Sequence, residues 1–205
     1  MKIAVLCPSR DRPEGLKRLV DSVKATSSAD VLAYVDKDQD NLYWDTEGLI
    51  LNVGEQIGPV AAANLMVERF PSYDAYGLVT DDSVITTPGW DKWLEEYLTT
   101  YPLMVISPYH NHGNHVDMPF VSRRWIETVG WFACPAMMHY AWPIVTGLIG
   151  EMTAICHAPK QSFAIDHDYV EGTHEDRRKM DNEAFFNYVS LRLPAAVERV
   201  RQAMS

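Results

Sequence analysis

Two adjacent acids, Asp81 and Asp82, follow the apolar run Tyr76–Val79 and precede Ser83. Neighbouring carboxylates at the end of a buried strand raise each other's pKa and resist leaving water, and a bound cation resolves that conflict. Mg2+ and Mn2+ prefer oxygen ligands, typically one or two carboxylates plus substrate phosphates. The pair therefore points to a Mn2+ or Mg2+ cofactor and a diphosphate-bearing ligand. Asp after a strand also serves simply to cap a turn, and the pair alone leaves both readings open.

Other reactive types are scattered. His110, His112 and His115 have i, i+2, i+5 spacing, which does not put all three on one face of a strand or helix, so they read as a loop on the acceptor side. Cys7, Cys134 and Cys156 lack the C-x-x-C spacing of a zinc or redox site and are odd in number, which fits reduced thiols in a cytoplasmic protein. The basic clusters Arg10/Arg12/Lys17/Arg18 and Arg177/Arg178/Lys179 read as solvated faces. A formal net charge of -10 argues against broad binding to nucleic acid or anionic membranes.

The elements that must position the acid pair follow an α/β pattern. Lys2 to Cys7 reads as a buried strand closed by Pro8, Glu14 to Ala25 as a helix with Leu16, Leu19, Val20 and Val23 inward, and Val31 to Val35 as a second strand closed by Asp36. Asp36 to Asn41 is too polar and turn-rich for regular structure. Leu49 to Val53 is a third strand, Val60 to Phe70 a helix, and Tyr76 to Val79 a fourth strand. Alternation of this kind predicts a parallel sheet with helices on both faces. Ligands in such sheets bind outside the carboxyl ends of the strands, where Asp36 and Asp81-Asp82 both fall.

The second half is less regular. Leu103 to Ser107 reads as a strand, Tyr109 to Asp117 as a loop, Ser122 to Val129 as a helix, Phe163 to Ile165 as a strand, and Asn182 to Met204 as a helix interrupted at Pro194. Phe132 to Gly150 carries no Asp, Glu, Lys or Arg, but Pro135, Pro143 and Gly147 make it a buried or acceptor-facing element with no membrane insertion. The apolar run Ile3 to Cys7 is too short for a signal peptide. At 205 residues a single domain is expected, residues 1–92 forming a donor half and 93–205 an acceptor half.

Five stretches stand in one order: Pro8-Ser9-Arg10-Asp11-Arg12-Pro13, then Asp36, then Gly58 to Asn64, then Thr80-Asp81-Asp82-Ser83 with Thr87 to Asp91, then Ile165-Asp166-His167. In these the sequence resembles the GT-A glycosyltransferases, especially the family-2-like enzymes, over about residues 3 to 180. The resemblance implies the GT-A (nucleotide-diphospho-sugar transferase) fold, α/β with a mostly parallel central sheet flanked by helices. It further implies a nucleoside-diphosphate sugar donor, with UDP the favoured nucleotide. Pro8, Ser9, Arg10 and Arg12 would line the nucleotide pocket, Asp36 would contact the base, and Gly58 and Asn64 would lie beneath the nucleotide. Asp81-Asp82 would be a short form of the D-x-D metal motif, with Asp82 and His167 as ligands and His174 the fallback.

The resemblance has a gap. Related sequences carry an Asp between a histidine like His139 and a glycine–acid pair like Gly150-Glu151, whereas Tyr140-Ala141-Trp142-Pro143-Ile144 holds no carboxylate. A general base for an acceptor hydroxyl would then come from Asp117 or Glu151, or the mechanism would be retaining. Ser122 to Trp125 and Trp131 are expected in the acceptor wall, since aromatic faces stack on sugars and bases. The acceptor is open among a glycan, a small molecule and a modified nucleobase. Two rivals stand: a non-catalytic sugar-nucleotide or glycan-binding module, and a nucleotidyltransferase, against which the glycine-free turn after strand one counts.

Overall fold

Alternation at period two in the first strands sets two apolar layers on opposite faces of one sheet. In β1 (Ile3–Ser9), Ala4 and Leu6 enter one core while Ile3, Val5 and Cys7 enter the other. Leu32 and Tyr34 of β2 (Asp30–Asp36) join the first core, and Val31, Ala33 and Val35 the second. The computed structural model describes residues 1–43, 46–110, 116–139, 142–153, 156–157, 163–167 and 175–205. At His110, Cys156, His157, His167 and residues 175–178 only the backbone is described.

Between β1 and β2 runs α1 (Pro13–Thr26), with Pro in its first turn, where the missing N–H carries no penalty. A 3-10 helix (Lys37–Leu42) leads to β3 (Leu49–Gly54), α2 (Pro59–Arg69), β4 (Ala75–Leu78), β5 (Ser83–Ile85) and α3 (Trp90–Thr100). Then come β6 (Val105–Ile106), β7 (Tyr109–His110), β8 (Phe120–Ser122) and α4 (Arg123–Val129). The chain ends with α5 (Trp142–Met152), β9 (Cys156–His157), β10 (Ala164–His167), α6 (Glu175–Leu191) and α7 (Leu193–Met204).

Seven strands form the main sheet in the order β3-β2-β1-β4-β8-β6-β9, and β5-β10-β7 form a second, small sheet. In the main sheet β8 runs antiparallel to both its neighbours, and every other pair is parallel. The β4–β8 pairing carries the sheet from the first half of the chain into the second. One core receives α1 and α3 against the sheet; the other receives α2, α4, α5 and α7.

Several local expectations are corrected. The strand read as closing at Pro8 runs on to Ser9, because Pro8 and Ser9 keep register with Tyr34 and Val35. The polar stretch after Asp36 is a 3-10 helix, held by residues of the β1 turn described below. Residues Ser83–Ile85 are a strand because β10 pairs with them, and Tyr109–His110 is a strand for the same reason. Ser122 caps α4, accepting from Trp125 N–H at 3.1 Å, and is the last residue of β8. Pro194 does not interrupt a helix: it sits in the first turn of α7, the break falls at Arg192, and α6 reaches back to Glu175. The charge-free stretch runs into the eleven-residue α5, about 16 Å long at 1.5 Å per residue, and among the described residues no helix is long and apolar enough to cross a membrane.

Candidate functional site

Because β1 lies between β2 and β4, the turn that follows it faces the carboxyl ends of both neighbours, where the strand order reverses. Asp11 adopts the left-handed conformation, φ 62°, which Asp tolerates better than most residues. Gln39 fixes it from the 3-10 helix: Asp11 N–H donates to Gln39 Oε1 at 2.7 Å, and the Gln39 amide donates back to the Asp11 carboxylate. The turn sends its two arginines apart. Arg10 pairs with Asp36 at the end of β2 and donates to Asp38 Oδ2 at 2.9 Å. Arg12 turns to β4, where its Nη1 donates to Asp82 Oδ2 at 2.9 Å and to Asp81 Oδ1 at 3.3 Å. Arg10 and Arg12, read as part of a solvated face, are thus both committed to carboxylates.

The acid pair occupies the centre of a tight turn: Ser83 N–H donates to Thr80 C=O at 3.1 Å, and the Thr80 and Ser83 hydroxyls meet at 2.9 Å. Asp81 points inward. Its Oδ2 accepts from Ser9 Oγ at 2.6 Å, Ser9 Oγ lies 3.1 Å from the Tyr43 hydroxyl, and that hydroxyl accepts from Arg12 N–H at 3.1 Å. Burial pushes the Asp81 carboxyl up from its ordinary value, opposed by Ser9 and Arg12 and reinforced by Asp82. Burial, then the charges of Asp81 and Asp82, likewise raises the fully buried Cys7 thiol well above its usual range. For Arg12, burial pulls downward but the two carboxylates outweigh it and the net shift is upward. The first turn of α1 closes the back of this group: a Cβ on Gly15 would lie 2.3 Å from the Asp81 carbonyl oxygen, so only glycine lets the helix approach this near.

Other residues singled out in the sequence sit at varying distance from this group. Pro8 is half-buried within β1, and Asp36 faces Arg10. Gly58 caps the amino end of α2 with φ 78°, a conformation suited to glycine. Asn64, one face further along α2, is engaged elsewhere: its Oδ1 accepts from Phe132 and Ala133 N–H, both at 3.0 Å, and its amide donates to Ala133 C=O at 2.8 Å. Asp117 is half-buried and directly precedes Met118, whose sulfur accepts from Ser83 Oγ at 3.7 Å. Glu151 is exposed near the carboxyl end of α5, on the approach to the amino end of β9; β9 runs parallel to β6, so Glu151 lies at the end of the sheet opposite the acid turn. Trp125, expected in an acceptor wall, is a fully buried core residue, and Arg123 is tied to Tyr73 C=O and the Tyr76 hydroxyl. Trp131 is half-buried and meets the Tyr188 ring edge-on. His112, His115 and His174 lie outside the described residues.

β10 runs antiparallel to β5 with His167 opposite Ser83, which puts its backbone beside the acid turn; its side chain is outside the described set. Among the described residues no three His, Cys, Asp or Glu side chains gather as a metal site. The donor set nevertheless fits a divalent cation completed by phosphate oxygens, because two carboxylate oxygens already converge on one positive centre, Arg12 Nη1.

No protein-family model matches the sequence, and no curated protein matches it. Solved structures do. A mannosyltransferase from Pyrobaculum calidifontis, in complex with GDP-Man and Mn2+, aligns with a TM-score of 0.68 and 13% identity over 98% of this chain and 73% of its own. Glucosyl-3-phosphoglycerate synthase from Mycobacterium tuberculosis, in complex with Mn2+, UDP and glucosyl-3-phosphoglycerate, aligns at 0.66 and 13% over 92% and 79%. This chain has the GT-A glycosyltransferase fold. GalNAc-T7 with UDP, GalNAc and Mn2+ aligns at 0.66 and 9% identity over 82% of this chain but only 44% of its own length.

Five residues of weight escaped the sequence reading. Asp38 and Gln39 lay in the stretch set aside as irregular, Tyr43 and Gly15 carried no motif, and Asp181 lay in a polar helical run. Asp181 is fully buried, and its carboxylate accepts from Met138 N–H at 2.6 Å and His139 N–H at 3.0 Å. A period of buried positions would have found none of them; the demand that Arg10, Asp11 and Arg12 have partners could have found Asp38, Gln39 and Tyr43, while nothing in the sequence marked Gly15 or Asp181.

Proposed function

We propose that the protein is a metal-dependent glycosyltransferase that moves a sugar from a nucleoside-diphosphate sugar to an acceptor hydroxyl. The observation that carries this reading is the pair Asp81-Asp82 converging on one cationic centre at the point where the strand order reverses, on a GT-A fold. Asp82 and His167 would hold Mn2+ or Mg2+, with Asp81 behind them fixed by Ser9. The ion, when bound, supplies neutralisation of the departing diphosphate. Ser9, Arg10 and Arg12 line the donor side with Pro8, and Asp36 at the end of β2 faces the base, with UDP the first nucleotide to test. Gly58, at the amino end of α2, borders the same side; Asn64 supports it by fastening α2 to residues 132–133.

Asp117 is the candidate base for the acceptor proton, since it adjoins Met118 against the acid turn while Glu151 lies at the other end of the sheet. Residues 1–92 form the donor half and 93–205 the acceptor half of a single domain. Buried free thiols at Cys7 and Cys134 support a cytoplasmic setting. The acceptor is a glycan, a small molecule or a modified nucleobase. The second reading, a sugar-nucleotide-binding module without turnover, draws on the carboxylate-free stretch 140–144.

Calorimetric titration of UDP and GDP with Mn2+, then with EDTA, tests the donor site. Binding should require metal, and Asp82→Ala should weaken it by more than the roughly 10–100-fold that follows loss of an outer-shell partner. Metal-independent binding that Asp82→Ala leaves intact would move the donor site elsewhere. Sugar release from UDP-sugars in the presence of Mn2+ separates the enzyme from the binding module.

A further inference from the structure

We infer that Arg12 is an internal counter-cation for Asp81 and Asp82: it holds the position of the divalent ion in the ligand-free protein and is handed to the diphosphate when a metal–diphosphate complex enters. This rests on the metal-site reading above and adds the order of events at that site. Arg12 Nη1 stands 2.9 Å from Asp82 Oδ2 and 3.3 Å from Asp81 Oδ1, so it fills the space that a cation held by Asp82 would need. The two arginines of the turn differ in what they can do next. Arg10 grips Asp36 and Asp38 through both Nη atoms. Arg12 reaches its acids through a single Nη, so although both side chains are 39% exposed, Arg12 has the looser grip and can swing without breaking the turn. The turn itself is pinned independently, by Gln39 on Asp11 and by Tyr43 on the Arg12 N–H.

Charge explains why neither ligand enters well alone. Metal alone would have to eject the guanidinium from two carboxylates and leave it with no anion. Diphosphate alone would meet two carboxylates with only Arg12 to offset them. With both present, Asp82 would hold the metal and the freed guanidinium would take phosphate oxygens, for which its planar fork is suited. Metal and diphosphate then bind with positive coupling, and by linkage each tightens the other by the same factor.

The test measures Mn2+ affinity of the full chain by electron paramagnetic resonance, with and without UDP and with and without GDP, for wild type, Arg12→Gln and Lys17→Gln. Lys17 pairs with Asp21 on the exposed face of α1 and controls for loss of a positive charge. Arg12→Gln is expected to bind Mn2+ alone about tenfold more tightly, and the nucleotide-induced tightening, about 5–150-fold in wild type, should shrink to a few-fold. Lys17→Gln should match wild type. Should Arg12→Gln not fold, Arg12→Met, of similar length and likewise without charge, carries the same test. Equal Mn2+ affinity in wild type and the Arg12 variant, with unchanged coupling, overturns the inference and leaves the metal site standing. No Mn2+ binding by any form, with or without nucleotide, overturns both.

Discussion

At the ends of β1, β2 and β4, four carboxylates are partnered by two arginine side chains; in the second half of the chain, the buried carboxylate of Asp181 is partnered by the main-chain N–H groups of Met138 and His139. The two solutions differ in what they allow. A guanidinium can be exchanged for a metal ion or a phosphate because it swings on a long side chain, whereas a backbone N–H cannot leave without moving the chain. The first region can therefore trade charges with a ligand, and the second can only hold a shape: residues 137–139 against α6, next to Gly58 at the amino end of α2.

Removing Asp181 should break that contrast most sharply. Asp181→Ala removes the acceptor from two part-buried N–H groups, and at about 0.5–1.5 kcal/mol for each the fold should lose about 1–3 kcal/mol. Hydrogen exchange should rise at residues 132–139 and in α6 while β1, β2 and β4 stay protected. Mn2+ affinity should change no more than about twofold, as for independent sites. A large drop in Mn2+ affinity would mean that the two regions are one mechanical unit and that the contrast is wrong.

Gly15→Ala attacks the other side, through packing alone. The added methyl would meet the Asp81 carbonyl oxygen at 2.3 Å, and neither α1 nor the acid turn can yield without moving backbone. Overpacking of this kind should destabilise by about 1–3 kcal/mol. Displacement of the acids should also weaken Mn2+·UDP binding by about tenfold or more, since small misplacements at such sites are amplified. Lost stability with unchanged binding would show that the turn carrying Asp81 and Asp82 tolerates displacement. Denaturant unfolding and calorimetry together decide between these outcomes.

The same contrast explains what could be read from the sequence. The strands β1 to β4, helices α1 and α2 and the acid pair were legible because buried strands and amphipathic helices print their period on neighbouring residues, and because two acids after an apolar run need a reason. The partners of Arg10 and Arg12 were not legible. Asp36 and Asp38 lie 26 and 28 residues from Arg10, and Asp81 and Asp82 lie 69 and 70 from Arg12, and only strand order brings them together. Trp125 misled for the same reason: a large aromatic looks alike as a ligand contact and as an internal fastener until the facing segment is known, and the bonds of Asn64 to residues 132–133 were not legible either. β5 was missed because three residues cannot show a period, and its pairing partner lies at Ala164–His167.

The smallest effect expected is also the most specific. Asp36→Ala removes one of Arg10's acid partners, and Asp38 Oδ2, 2.9 Å from Arg10 Nη2, keeps the arginine near its place. Hydrogen bonding to Arg10 holds the Asp38 carboxyl below its ordinary value, so that partner stays ionised at neutral pH. Stability should change by no more than about 1 kcal/mol, as for partly exposed ion pairs. The readout is instead the ratio of UDP to GDP affinity, which should shift by up to about tenfold, or 1.4 kcal/mol, if the carboxylate at the end of β2 reads the base. A ratio that does not move, with Mn2+ dependence intact, would place base selection in other residues while leaving Asp82 and Arg12 at the diphosphate.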